Sequence, residues 1–171
     1  MKIQQFGHAA FRCSDLEKSL TFYRDTLGLK EKFRLYYSDL IDFMYKEQEE
    51  KGKPVDAEYV AMAETKRDKI WLSYLEITEG TFIELFDEEG ATEFSLSGGH
   101  KFNYQHMALI VDDIHELHDK LVAAGVKIDR GPNFGMDLTW QMWIRDPDGN
   151  QIEWMQYTNE SMQLAGRMDG K

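Results

Sequence analysis

Apolar and polar positions alternate along the chain in two copies of one pattern. Phe6-Gly7-His8-Ala9-Ala10-Phe11, followed by Ser14-Asp15-Leu16-Glu17, matches Tyr104-Gln105-His106-Met107-Ala108-Leu109, followed by Asp112-Asp113-Ile114. Each copy begins as an apolar strand carrying one histidine and continues into an amphipathic helix. The apolar positions of the helices are Leu16, Leu20, Tyr23 and Leu27 in the first copy, and Ile114, Leu117, Leu121 and Ala124 in the second, at three- and four-residue spacing. Ser14 with Glu17 has the spacing of a capping box, and Asp113 with Glu116 is its acidic analogue. Gly28 and Gly125 sit where a helix ends on a residue that tolerates positive φ.

Strands follow each helix. The pattern predicts Lys30 to Tyr36, Ile70 to Ile77 and Thr81 to Phe86 in the first copy, and Val126 to Arg130, Leu138 to Ile144 and Gln151 to Tyr157 in the second. The repeating unit is therefore β-α-β-β-β, and the fold class is α+β. Asp146-Pro147-Asp148-Gly149 predicts the hairpin joining the last two strands, because proline presets the second turn position and glycine supplies a left-handed residue.

The copies are unequal in length. The first carries an insertion within Tyr37 to Arg67, where Leu40, Phe43, Met44 and Glu47 at helical spacing predict a short lid-like helix over Asp39 to Glu50. The organisation expected is a first module over 1–86, a linker rich in Glu, Gly and Ser over 87–102, a second module over 103–157 and a polar tail over 158–171.

Composition narrows the function classes. The chain has 171 residues, 42% of them hydrophobic and 13% aromatic, which suits a folded globule rather than a disordered chain. Twenty Lys and Arg against 31 Asp and Glu leave a net charge of -11, which argues against nucleic acid as a partner. The opening Met1-Lys2-Ile3-Gln4-Gln5 carries no apolar signal core. The longest aliphatic stretch, Met107 to Val111, is far short of the roughly 20 residues that span a bilayer. The lone Cys13 forms no intrachain disulfide and reads as a buried thiol; a cytoplasmic protein is expected.

Four residues break their surroundings in matching ways. His8 and His106 occupy equivalent places in the two first strands, and Glu84 and Glu153 equivalent places in the two last strands. Thr81-Phe82-Ile83-Glu84-Leu85-Phe86 and Gln151-Ile152-Glu153-Trp154-Met155 set each carboxylate between apolar neighbours, where an unpaired charge costs several kcal/mol. A divalent cation bound by both carboxylates and both imidazoles, at about 2.0 to 2.2 Å, removes that cost. Taken singly, each histidine also reads as an ordinary core or surface residue and each glutamate as a solvent-facing strand residue. It is their duplication that marks them as a set.

The segments His106-Met107-Ala108-Leu109-Ile110-Val111-Asp112-Asp113 and Ile144-Arg145-Asp146-Pro147-Asp148-Gly149-Asn150-Gln151-Ile152-Glu153 resemble the first and last strands of a module in the vicinal oxygen chelate superfamily, the glyoxalase/bleomycin-resistance/dioxygenase group. The resemblance covers residues 3 to 157 apart from the insertion. It implies paired βαβββ units whose curved mixed sheets form a metal-containing cleft, closed within a chain or across a homodimer. Within the group the pattern is most similar to bacterial glyoxalase I, lactoylglutathione lyase. That similarity implies that His8, Glu84, His106 and Glu153 bind nickel, cobalt or zinc, with manganese or iron as further options. It also implies that the substrate is a small 2-oxoaldehyde-thiol adduct handled through an enediolate, with Glu153 as first choice of base and Glu84 as second. Arg12, four residues after His8, matches an arginine that holds a carboxylate of glutathione. Glu88 departs from the pattern, standing where an asparagine is found, and its charge opposes that same carboxylate.

Three other readings belong to the same resemblance. They are an extradiol-type dioxygenase using His8, His106 and Glu153 as an iron triad, an epimerase acting on an acyl thioester, and a metal-free drug-binding protein. Phe33, Tyr36, Trp71, Trp140 and Trp143 would line the pocket of the last, although ordinary sheet packing also accounts for them. His115 and His118, three residues apart on the second helix, read as part of a solvated face.

Overall fold

The computed structural model describes residues 4–88 and 105–166. Its elements are β1 (His8–Cys13), α1 (Leu16–Leu20) continuing as a π-helical stretch (Thr21–Thr26), β2 (Lys30–Tyr36), α2 (Tyr37–Lys51), α3 (Ala57–Glu64), β3 (Ile70–Thr78) and β4 (Thr81–Asp87), then β5 (His106–Ile110), α4 (Ile114–Ala123), β6 (Ile128–Phe134), β7 (Trp140–Arg145), β8 (Gln151–Gln156) and α5 (Met162–Ala165). They fall into two compact units, Met1–Thr92 and Glu93–Lys171. Most of the expected linker, and Tyr104 of the second repeat, lie outside the described residues.

Each unit holds one four-stranded mixed sheet, ordered β1-β4-β3-β2 in the first and β5-β8-β7-β6 in the second. The first strand of each unit pairs parallel with the last, and the remaining pairs are antiparallel. The glutamate-bearing strands β4 and β8 are therefore interior strands with neighbours on both edges.

Strand alternation divides the faces of the first sheet. Phe11 and Cys13 of β1, with Leu75 of β3 and Ile83 and Leu85 of β4, are buried together with Leu16, Leu20 and Tyr23 of the first helix, which packs on β4. His8, Ala10 and Arg12 lie on the opposite face. In the second unit α4 packs on β6, β7 and β8, and the core holds Leu109, Ile114, Leu121, Met142, Ile144 and Ile152.

Several local details differ from the sequence pattern. The first helix is capped by Asp15, whose carboxylate accepts from the Lys18 N–H at 3.0 Å, and not by Ser14. Asp113 caps α4 as expected, accepting from the N–H groups of His115 and Glu116 at 2.9 Å each. The α-helix gives way to a π turn at Thr21, with the Leu27 N–H donating to Phe22 O at 2.9 Å. Strand β6 starts later than expected, because Val126 still closes the helix end by donating to Leu121 O at 2.9 Å. It then runs on through Gly131-Pro132 to Phe134 as a bulged strand, past Arg130 where the expected strand ended. The hairpin at Asp146–Gly149 forms as expected, with Gly149 at φ +84° and its N–H donating to Asp146 O at 3.0 Å.

The insertion contains two helices, α2 and α3, where the pattern predicts one. Tyr37, Ile41, Val60 and Ala63 make a small separate core against which Leu40, Met44, Val55 and Trp71 pack, while Phe43 is exposed. This packing fixes both helices to the sheet. Tyr37 Oη donates to Asp87 Oδ2 at 2.8 Å, and Lys66 Nζ reaches the same oxygen at 3.1 Å. The segment expected as a polar tail also packs back: Thr158 Oγ1 and Ser161 Oγ donate to Leu138 O at 2.9 and 3.0 Å. Among the described residues no helix is long and apolar enough to cross a membrane.

Candidate functional site

In the first unit Glu84 faces Ala10 across the parallel β1–β4 ladder, and His8 lies two residues earlier on the same face. Alanine leaves the space beside the carboxylate open. Glu84, only 8% exposed, thus brings its Oε2 to 3.5 Å from His8 Nε2. On the other side of Glu84 the β3–β4 register sets Tyr74; burial first, and then the neighbouring Glu84 carboxylate, pushes the Tyr74 phenol pKa up. The Tyr74 ring meets His8 edge-on at 5.6 Å and stacks on Phe33 of β2 at 4.5 Å.

The second unit repeats this arrangement. Glu153, 7% exposed, faces Ala108 across the β5–β8 ladder, and its Oε2 lies 3.1 Å from His106 Nε2. Trp143 takes the place of Tyr74: it is in register with Glu153, and its ring meets His106 edge-on at 4.7 Å. The guanidinium of Arg130 lies over the Trp143 ring at 5.1 Å. Burial pushes the Glu153 carboxyl pKa up. The charges of His106 and Arg130 oppose that shift, and Asp137 adds to it. Trp143 Nε1 is buried without a hydrogen-bond partner among the described residues.

Each unit by itself thus presents one imidazole nitrogen and one buried carboxylate oxygen. Among the described residues no group of three or more His, Cys, Asp or Glu side chains is arranged so that it could hold a metal ion. The two donors of each pair fit a divalent first-row ion in chemical type, and their separation matches that of adjacent ligands about 2.0 to 2.2 Å from one ion.

Residues 5–154 match the family model of the Glyoxalase/Bleomycin resistance protein/Dioxygenase superfamily. The chain belongs to that superfamily. A superfamily relative from Vibrio parahaemolyticus, named probable lactoylglutathione lyase, is 29% identical over 161 residues, covering 93% of this chain and 95% of its own length. The lactoylglutathione lyase of Neisseria meningitidis is 26% identical over 151 residues, covering 87% and 88%. Among solved structures, a glyoxalase/dioxygenase from Nostoc punctiforme has a TM-score of 0.62 at 19% identity, covering 91% of this chain and 92% of that one. A lactoylglutathione lyase from Agrobacterium tumefaciens has a TM-score of 0.58 at 16% identity, covering 98% and 100%. These structural likenesses show the superfamily fold.

The remaining candidates fall into place around this superfamily framework. Arg12 lies on the His8 face, but its Nη1 is paired with Glu88 Oε1 at 3.0 Å. Of the aromatics singled out from sequence, Trp143 meets His106 and Phe33 stacks on Tyr74. Trp71 packs against Phe86 at the edge of the insertion core, Tyr36 is exposed, and Trp140 meets His115 and Phe134. His118 pairs with Asp119 at 3.0 Å, away from the glutamates in sequence and on the helix side of the module. Cys13 is buried. Tyr74 and Arg130 escaped the sequence reading. The signal for Tyr74 was its position in the repeat, equivalent to Trp143.

Proposed function

We propose that the chain is a metal-dependent, glyoxalase I-like isomerase, a carbon–sulfur lyase in class, acting on the adduct of a 2-oxoaldehyde with a thiol. The observation that carries this reading is the repeated pair: one buried glutamate and one imidazole in each module, at 3.5 and 3.1 Å. Its support in the comparisons is relatives named lactoylglutathione lyase that align over nearly the whole chain.

In this reading His8, Glu84, His106 and Glu153 together hold one divalent ion, with nickel, cobalt or zinc as the first candidates. When bound, the ion supplies Lewis-acid stabilisation to negative charge developing on two neighbouring substrate oxygens. Glu153 takes the proton from the carbon beside the carbonyl and returns it to the adjacent carbon, with Glu84 as the second candidate for this work. His106 and His8 orient the two carboxylates, and the rings of Tyr74 and Trp143 limit water at the imidazole edges. The working form is read as a cytoplasmic homodimer.

Elemental analysis of the purified protein, followed by isomerisation of the methylglyoxal adducts of several thiols, tests the reading. We expect bound metal, and turnover that falls by about 10² to 10⁴-fold in Glu153→Gln while the circular dichroism spectrum is unchanged. A metal-free protein, or full activity in that variant, overturns it.

A further inference from the structure

Arg12 and Glu88 each lie four residues beyond a member of the His8–Glu84 pair, Arg12 along β1 and Glu88 just past the end of β4. Four residues of strand span about 13 Å. The Arg12–Glu88 pair therefore stands at the far end of the same face, about that distance along the strands from the His8–Glu84 pair. The backbone holds Glu88 there: its N–H donates to Cys13 O at 3.0 Å, extending the β1–β4 ladder by one residue.

The charges at this end of the sheet are matched. Arg12 is paired with Glu88 at 3.0 Å, and the nearby Lys66 is held by Asp87 at 3.1 Å. The Arg12 and Glu88 side chains are 78% and 38% exposed, so the pair is open to a ligand. A carboxylate arriving at Arg12 must either displace Glu88 or become a second anion on one guanidinium, and like charges so close repel. A tail without negative charge meets neither obstacle.

Resting on the function proposed above, we infer that the Arg12–Glu88 pair selects the thiol, so that the preferred adduct carries an uncharged group, not a carboxylate, at the end that lies over Arg12. Glu88 is the specificity-determining residue, and Arg12 is the cation it masks.

The test uses the metal-loaded protein and four S-hexyl tripeptide ligands: S-hexylglutathione with both carboxylates free, with either one amidated, and with both amidated. Binding is measured by calorimetry, and isomerisation of the matching methylglyoxal adducts is measured alongside. We expect at least one monoamide to bind wild-type protein ten-fold or more tighter than the diacid. In Glu88→Gln the diacid gains by a similar factor, and the double variant Arg12→Gln/Glu88→Gln loses that gain. Equal binding of diacid and amides by both wild type and Glu88→Gln, with isomerisation intact, overturns the selectivity and leaves the enzymatic reading standing. Failure to bind any of the four ligands, with no adduct isomerised, overturns both.

Discussion

Glu153 stands directly opposite Ala108 in the parallel ladder of β5 and β8. The absence of bulk at Ala108 is what lets the carboxylate lean back to His106, and Ala10 does the same for Glu84. Larger residues at these two positions would project between the donors of each pair.

Ala108→Val is therefore expected to weaken metal binding by about 10 to 100-fold, the range typical when groups that orient metal ligands are disturbed, with little change in overall fold. Titration of the metal-free protein with nickel or zinc measures it. Unchanged affinity would show that Ala108 does not govern the approach of the two donors.

The insertion is fastened through Asp87, which takes a hydrogen bond from Tyr37 and an ion pair from Lys66 on one oxygen. Asp87→Asn removes the charge from a side chain that is only 8% exposed. A loss of about 1 to 3 kcal/mol is expected in urea unfolding, with faster proteolysis within 37–67. Cleavage at the wild-type rate would count against this anchor.

Glu31 makes stability depend on acid. Burial alone raises its pKa, but hydrogen bonds from Arg34 and Ser73, the charge of Arg34 and a contact from Arg24 outweigh burial, so the folded-state pKa lies below the ordinary value. A depressed carboxyl pKa stabilises the fold above the unfolded value of about 4.3, and that contribution disappears as pH falls through the folded value. Glu31→Gln should thus be less stable than wild type at pH 7 by about 1 kcal/mol, and the gap should close towards pH 3. Urea unfolding at pH 7, 5 and 3.5 follows it.

Gly131 lies at φ +92°, and a Cβ there would come within 2.4 Å of the Gln141 carbonyl oxygen. Both strands of the β6–β7 pair would have to shift, and the bulge that carries Arg130 towards Trp143 would be disturbed with them. Gly131→Ala is expected to cost about 1 to 3 kcal/mol or more. Thermal unfolding with a midpoint equal to wild type would refute the close approach.

Much of the fold was legible in the sequence, for particular reasons. The helix positions Leu16, Leu20, Tyr23, Ile114 and Leu121 became buried because a 3.6-residue period leaves one face to pack on a sheet. Gly28, Gly125 and Gly149 adopt positive φ, as their places after helices and in a hairpin required. The misses came where tertiary contacts overrode local signals. The strand expected to end at Arg130 continues through Gly131-Pro132 to Phe134, and the insertion's second helix, Ala57–Glu64, gains its stability from the small core around Tyr37 and Ile41.

The sequence alone determined the duplicated module, the family, and the four residues that break the apolar pattern, because hydrophobic periodicity and a repeated exception to it are properties of the chain order itself. Only the tertiary structure decided which groups meet. Tyr74 stands opposite Glu84, Arg130 covers Trp143, and Arg12 is taken by Glu88. Those contacts depend on strand register and on pairing between residues far apart in the chain, and no local pattern encodes them.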